Sequence, residues 1–147
     1  MSNDQNAKIE IINSQDSIIL DLESIKLLSK KAHTFCLQES KKGSPLRNLQ
    51  SLEVSILNDK QIALVHEEFM NDSAPTDVIT FDYGEILVSA ETALAQSKAL
   101  KVALEDEILL YIIHGMLHLG GYLDKDEADF NEMKIIQERI LNSCLER

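Results

Sequence analysis

Two histidines, His114 and His118, lie four apart in an apolar segment, and Asp124 follows after the pair Gly120-Gly121. In a helix, residues four apart stack on one face a single turn apart, so both imidazoles can reach one ion. Glycine ends helices at little steric cost because it takes the left-handed conformation. The chain can therefore double back at Gly120-Gly121 and carry the Asp124 carboxylate toward the two rings. Two nitrogens and one oxygen, with a fourth position open to water, form a catalytic zinc arrangement. Such a histidine pair also occurs as hydrogen-bonded core. The glycines and Asp124 favour a single zinc ion per chain, held by His114, His118 and Asp124. Gly115 stands where the metalloprotease motif H-E-x-x-H has its glutamate, which speaks against ordinary peptide hydrolysis.

A chain of 147 residues, 44% hydrophobic with five Gly and two Pro, is expected to fold as one domain over 1–147. No apolar run reaches the ~20 residues of a membrane span. Met1 to Ala7 lacks the basic start and apolar body of a signal peptide, so the expected location is the cytoplasm, with no membrane partner. Cys36 and Cys144 fit no metal or disulfide pattern and are read as buried small hydrophobes. The formal net charge of −11 opposes phosphate binding overall. Yet Lys26, Lys30, Lys31, Lys41, Lys42 and Arg47 crowd into one stretch, and a local basic surface can still steer an anion. Lys30, Lys31, Lys42 and Arg47 are the candidate RNA contacts, with His33 beside them. The alternative is an ordinary solvated helix face.

The elements that must position these groups are read from periodicity and turn formers. Lys8 to Asn13 alternates as an exposed strand, and Ile18 to Leu37 carries helical spacing with Ile25, Leu27 and Leu28 turned inward. Lys41 to Asn48 is a loop, and Leu52 to Leu57 a strand. Asn58-Asp59 caps a helix from about Lys60 to Met70, followed by the polar run Asn71 to Pro75. Thr76 to Asp82 and Glu85 to Ala90 are strands joined as a hairpin at Tyr83-Gly84. Helices are expected over Glu91 to Ala99, Val102 to Leu119 and Lys125 to Cys144. The fold class is thus α+β, a mixed sheet of about four strands with helices packed on it.

Two motifs stand together here: Pro75-Thr76-Asp77-Val78-Ile79-Thr80-Phe81, and His114-Gly-Met-Leu-His118 with Gly121-Tyr122. They resemble the YbeY family of bacterial metal-dependent endoribonucleases, whose pattern is close to P-T-D-V-L-S-F, a G-D-I strand, and H-G-x-L-H-L-x-G-Y-D-H. Gly84-Glu85-Ile86 matches the middle element with glutamate for aspartate. Asp124 stands where most of the family has a third histidine, and Leu123 where it has an aspartate. A carboxylate in that place makes the metal less electrophilic than a third imidazole would. Phe69-Met70 corresponds to a tyrosine-arginine pair, whose arginine would suit phosphate through its planar fork. The resemblance implies a zinc-dependent endoribonuclease that cuts single-stranded RNA in ribosomal RNA maturation and ribosome quality control. It also implies partners among small-subunit ribosomal proteins or an assembly GTPase. Thr76 and Asp77 are then positioning residues, Thr76 through its hydroxyl and Asp77 by capping the turn or orienting a ligand histidine; plain turn chemistry is the other reading. Glu85 is read as an exposed strand residue, and His66 as a surface residue outside the ligand set. Other functions compatible with the residues are a metal hydrolase with another substrate and a non-catalytic assembly factor that contains zinc.

Overall fold

A computed structural model describes residues 7–71 and 76–146. Residues 1–6, 72–75 and 147, including the proline of the Pro-Thr-Asp motif, lie outside the described residues. The element order is β1 (Lys8–Asn13), α1 (Leu22–Glu39), a 3-10 turn (Pro45–Asn48), β2 (Ser51–Leu57), α2 (Asp59–Met70), β3 (Val78–Phe81), β4 (Glu85–Ser89), α3 (Ala90–Leu100), α4 (Leu104–Leu119) and α5 (Glu127–Cys144). The four strands form one sheet in the order β1-β2-β4-β3. β1 and β4 each run parallel to β2, while β3 closes the far edge antiparallel to β4 as the expected hairpin. This is the α+β arrangement with a mixed sheet.

Alternation along the strands sends side chains to two faces. Leu52, Val54, Ile56, Ile86 and Val88 join the main core with residues of α1, α4 and α5. Leu57, Ile79 and Leu87 face the other way and form a smaller cluster with Ile62 of α2. α4 is apolar nearly all round, as a helix buried at the centre must be. It touches α1, α3 and α5 as well as β3 and β4. Its approach to the sheet is close, because a Cβ added at Gly115 would meet three side-chain carbons of Ile86 at 2.9, 3.0 and 3.2 Å. Gly115 is therefore the residue that lets α4 settle onto β4.

Local chemistry sets the boundaries, and moves several of them from their expected places. α1 begins at Leu22 and not Ile18, because the Ile18 amide donates to the Gln15 side chain at 2.9 Å and Asp21 caps the helix through the Ser24 amide. Leu27 is exposed, while Ile25 is fully buried. The loop after α1 holds a 3-10 turn started by Pro45, whose fixed φ suits a first helical position. Asn58 and Gln61 make a reciprocal capping box for α2. β3 starts at Val78 and not Thr76, since the Asp77 carboxylate takes the Val78 amide at 2.8 Å and its carbonyl accepts from Ser89. α5 begins at Glu127, capped by Asp126. Cys36 and Cys144 are free and buried, as read from the sequence.

Gly115→Ala tests the contact between α4 and the sheet. Alanine favours a helix by about 1 kcal/mol over glycine, yet overpacking costs typically about 1–3 kcal/mol. Denaturant unfolding should show a net loss of stability, and that loss should be smaller when the same substitution is made in an Ile86→Val background, whose facing side chain is shorter.

Candidate metal centre

His114 and His118 sit on the last two turns of α4, where helical spacing brings their rings into edge-to-face contact at 4.6 Å between centroids. Gly120 ends the helix and Gly121 takes φ 97°, the left-handed region that glycine enters freely. The Gly121 amide donates to the His118 carbonyl and the Tyr122 amide to the Leu117 carbonyl, both at 3.0 Å. That pair of bonds is the Schellman pattern, and it reverses the chain as the sequence reading requires. Tyr122 is buried, and its hydroxyl donates to the Glu39 carbonyl at the end of α1. The Lys41 amide donates to the Gly120 carbonyl at 2.8 Å, and the Lys41 ammonium lies 4.6 Å from the centre of the Tyr122 ring. The return after α4 is thus held against α1, and it delivers Asp124.

The three predicted groups meet. His114 Nε2 and His118 Nε2 are 3.1 Å apart, and Asp124 Oδ2 lies 3.5 Å from the first and 3.4 Å from the second. The outer ring nitrogens are committed elsewhere. His118 Nδ1 donates to the Tyr122 carbonyl at 2.9 Å, which is an acceptor only, and His114 Nδ1 donates to Gln137 Oε1 of α5 at 2.9 Å. With each proton on Nδ1, both Nε2 lone pairs point inward beside an anionic oxygen. Three electron-rich atoms at these distances repel unless a cation or shared proton lies between them. Donors at about 2.05 Å from a tetrahedral centre stand about 3.3 Å apart, so the observed triangle is the size a zinc ion's donor set has. Among the described residues this is also the group of His, Cys, Asp and Glu atoms compact enough to hold a metal ion.

A cleft of about 380 Å³ opens beside His114, walled by Thr76 and Asp77, by Glu107 and Tyr111 of α4, and by Phe130 and Gln137 of α5. Asp77 caps the turn, and the two histidines are oriented by Gln137 and Tyr122 instead. Thr76 Oγ1 lies 3.4 Å from the Asp77 carboxylate. Burial raises the Glu107 carboxyl above its ordinary range and nearby Asp77 adds to the rise, while a hydrogen bond with Tyr111 opposes it. Sequence reasoning passed over Glu107, Tyr111 and Gln137. The first two repeat the helical spacing that leads to His114 and His118, which was a usable signal; Gln137 comes from another helix, and no local pattern points to it.

The predicted basic residues are scattered. Lys30 lines a separate cleft of about 580 Å³ with Lys8, Lys26 and His33, between β1 and α1. His33 is only 3% exposed, so it is not the open RNA contact considered above. Lys31 pairs with Glu146 at 3.7 Å, and Arg47 holds Ser40 through two hydrogen bonds. Lys42 is exposed in the loop. Met70 is half exposed at the end of α2 and does not line the cleft beside His114, and half-buried His66 on the same helix is outside the triangle.

A family model described as Endoribonuclease YbeY matches residues 10–145. Endoribonuclease YbeY of Heliobacterium modesticaldum is 32% identical over 85% of this chain and 87% of its own length. That of Petrotoga mobilis is 30% identical over 94% and 96%. The solution structure of a Thermotoga maritima protein shares the fold, with a TM-score of 0.64 at 22% identity, covering 92% of this chain and 88% of that one. With a family match that spans both the catalytic-type triangle and the sheet beneath it, the chain belongs to the endoribonuclease YbeY family.

Proposed function

We propose that the protein is a zinc-dependent endoribonuclease that cuts single-stranded RNA in the maturation and quality control of ribosomal RNA. Family membership supports a nuclease, a hydrolase of phosphodiester bonds. What carries the metal in this reading is the triangle of His114 Nε2, His118 Nε2 and Asp124 Oδ2, with edges of 3.1, 3.4 and 3.5 Å. These three residues would hold one zinc ion. When bound, the ion would polarise the phosphodiester and make water acidic enough to act as a nucleophile near neutral pH.

The chain's own residues do the rest. Gln137 and the Tyr122 carbonyl keep both imidazoles in the tautomer that turns a lone pair to the ion. Asp124 contributes charge as well as a donor atom, balancing part of the cation where no third imidazole stands. Thr76 and Asp77 shape the wall of the cleft from the turn before β3, and in this reading the Thr76 hydroxyl would exchange the Asp77 carboxylate for a substrate oxygen. Lys30 and Lys42 are the RNA backbone contacts in this reading. Lys31 and Arg47 would join them by exchanging Glu146 and Ser40 for phosphate. Ribosomal small-subunit proteins and an assembly GTPase are the protein partners that this role would bring. No helix among the described residues is long and apolar enough to cross a membrane, and a cytoplasmic location is the one in which ribosomal RNA is met.

The purified protein should contain about one zinc per chain by elemental analysis. His118→Ala and Asp124→Ala should each lose the ion, whereas His66→Ala should keep it; equal loss from all three would overturn the ligand assignment. Gln137→Ala should weaken zinc affinity by about 10–100-fold, the usual effect of losing a partner of a ligand histidine, measured by competition with a chromophoric chelator. Cleavage of single-stranded RNA should stop on chelation and return with zinc. RNA binding without cleavage in the zinc-loaded protein would instead favour the assembly-factor role.

A further inference from the structure

The cleft beside His114 is chemically unlike a phosphate site. Asp77 and Glu107 place two carboxyls on its wall, and among the described residues its lining contains no lysine or arginine. Glu107 is only 6% exposed, and it makes no ion pair among the described residues. Among the described residues its side-chain hydrogen-bond partner is Tyr111, one turn further along α4. A buried carboxylate with spare lone pairs needs N–H or O–H donors. At the other side of the cleft stands Phe130, 53% exposed on the first turn of α5, with Gln96 of α3 adding an amide. An exposed aromatic ring, an amide and a buried acid around about 380 Å³ make a place for a flat heterocycle with donors on its edge.

We propose that this cleft is a guanine-binding subsite, in which the Phe130 ring stacks the base and the Glu107 carboxylate accepts both N1–H and N2–H of its Watson–Crick edge. Guanine presents two adjacent N–H donors there. Adenine and cytosine set a donor beside an acceptor lone pair, and uracil flanks its donor with two carbonyls, so a carboxylate repels part of each edge. The subsite rests on the reading of RNA as substrate, and it would favour cutting next to guanosine because it opens onto His114.

The test is binding of GMP, IMP and UMP to the full-length zinc-loaded protein, followed by amide NMR. All three carry the same phosphate, so differences report the base. GMP at millimolar concentration should shift the amides of Glu107, Tyr111 and Phe130. IMP, which lacks the N2 amine, should bind roughly tenfold more weakly through loss of one hydrogen bond to a charged group. UMP should leave these amides in place. Glu107→Gln, close to isosteric, should erase the preference for GMP without changing zinc content, and Phe130→Ala should weaken GMP and IMP alike. Equal shifts with GMP and UMP, no shifts at all, or a preference that survives Glu107→Gln would each overturn the proposal. Selective GMP binding by a protein that cuts no RNA would leave the subsite standing and remove the nuclease reading instead.

Discussion

The contact between Gly115 and Ile86 governs the molecule. With no side chain at that point, α4 lies low on β4 and its hairpin partner β3, and its apolar surface fills the space between sheet, α1 and α5. The residues on either side of that contact inherit its position. His114 and His118 flank Gly115 on a helix that packing holds in place, so their separation is decided by the core. A pair of histidines on a loop would have no such support, and the repulsion between their lone pairs would drive them apart.

Electrostatics follows from that frame. The chain carries a formal charge of −11, the cleft beside His114 is lined by two carboxyls, and next to it stands the electron-rich triangle of two imidazole nitrogens and Asp124. Zinc would bring two positive charges to that point. On the proposed reading, Asp124 in the place of a third imidazole would keep a donor atom and add an anion, shifting the charge balance of the centre without altering its count of protein ligands. RNA must approach such a protein through local features, because the overall field opposes it.

Much of the centre was legible in the sequence for a physical reason: helical spacing and glycine termination act within a few residues. His114, His118, Gly121 and Asp124 belong to one continuous stretch, and local rules place all four. The antiparallel hairpin at Gly84 was legible for the same reason, whereas the strand order β1-β2-β4-β3 was not, since parallel pairing joins distant segments. Gln137 was not, because it reaches His114 across a helix pair that only tertiary packing joins. The basic stretch misled in another way. Proximity along the chain suggested one patch, but helix rotation turns Lys30 toward β1, Lys31 toward Glu146, and leaves Arg47 tied to Ser40. His33, between them in sequence, points inward. Boundaries at Ile18 and Thr76 moved because the Gln15 and Asp77 side chains take amides that a helix or strand would otherwise use.

The junction of α1 with the exit of α4 has a consequence for assembly. The Glu39 and Gly120 carbonyls are engaged by Tyr122 and Lys41, residues roughly eighty positions apart in the chain, so the turn that presents Asp124 is closed from both sides by distant sequence. Such a loop closes late, because its entropy must be overcome before any of its contacts form. A peptide containing only the histidine helix and its glycine exit would have the donor atoms without the clamp. Metal capture on the proposed reading would therefore be a property of the finished fold, and an ion held at the triangle would tie the first and last helices together through the partners of His114, His118 and Asp124.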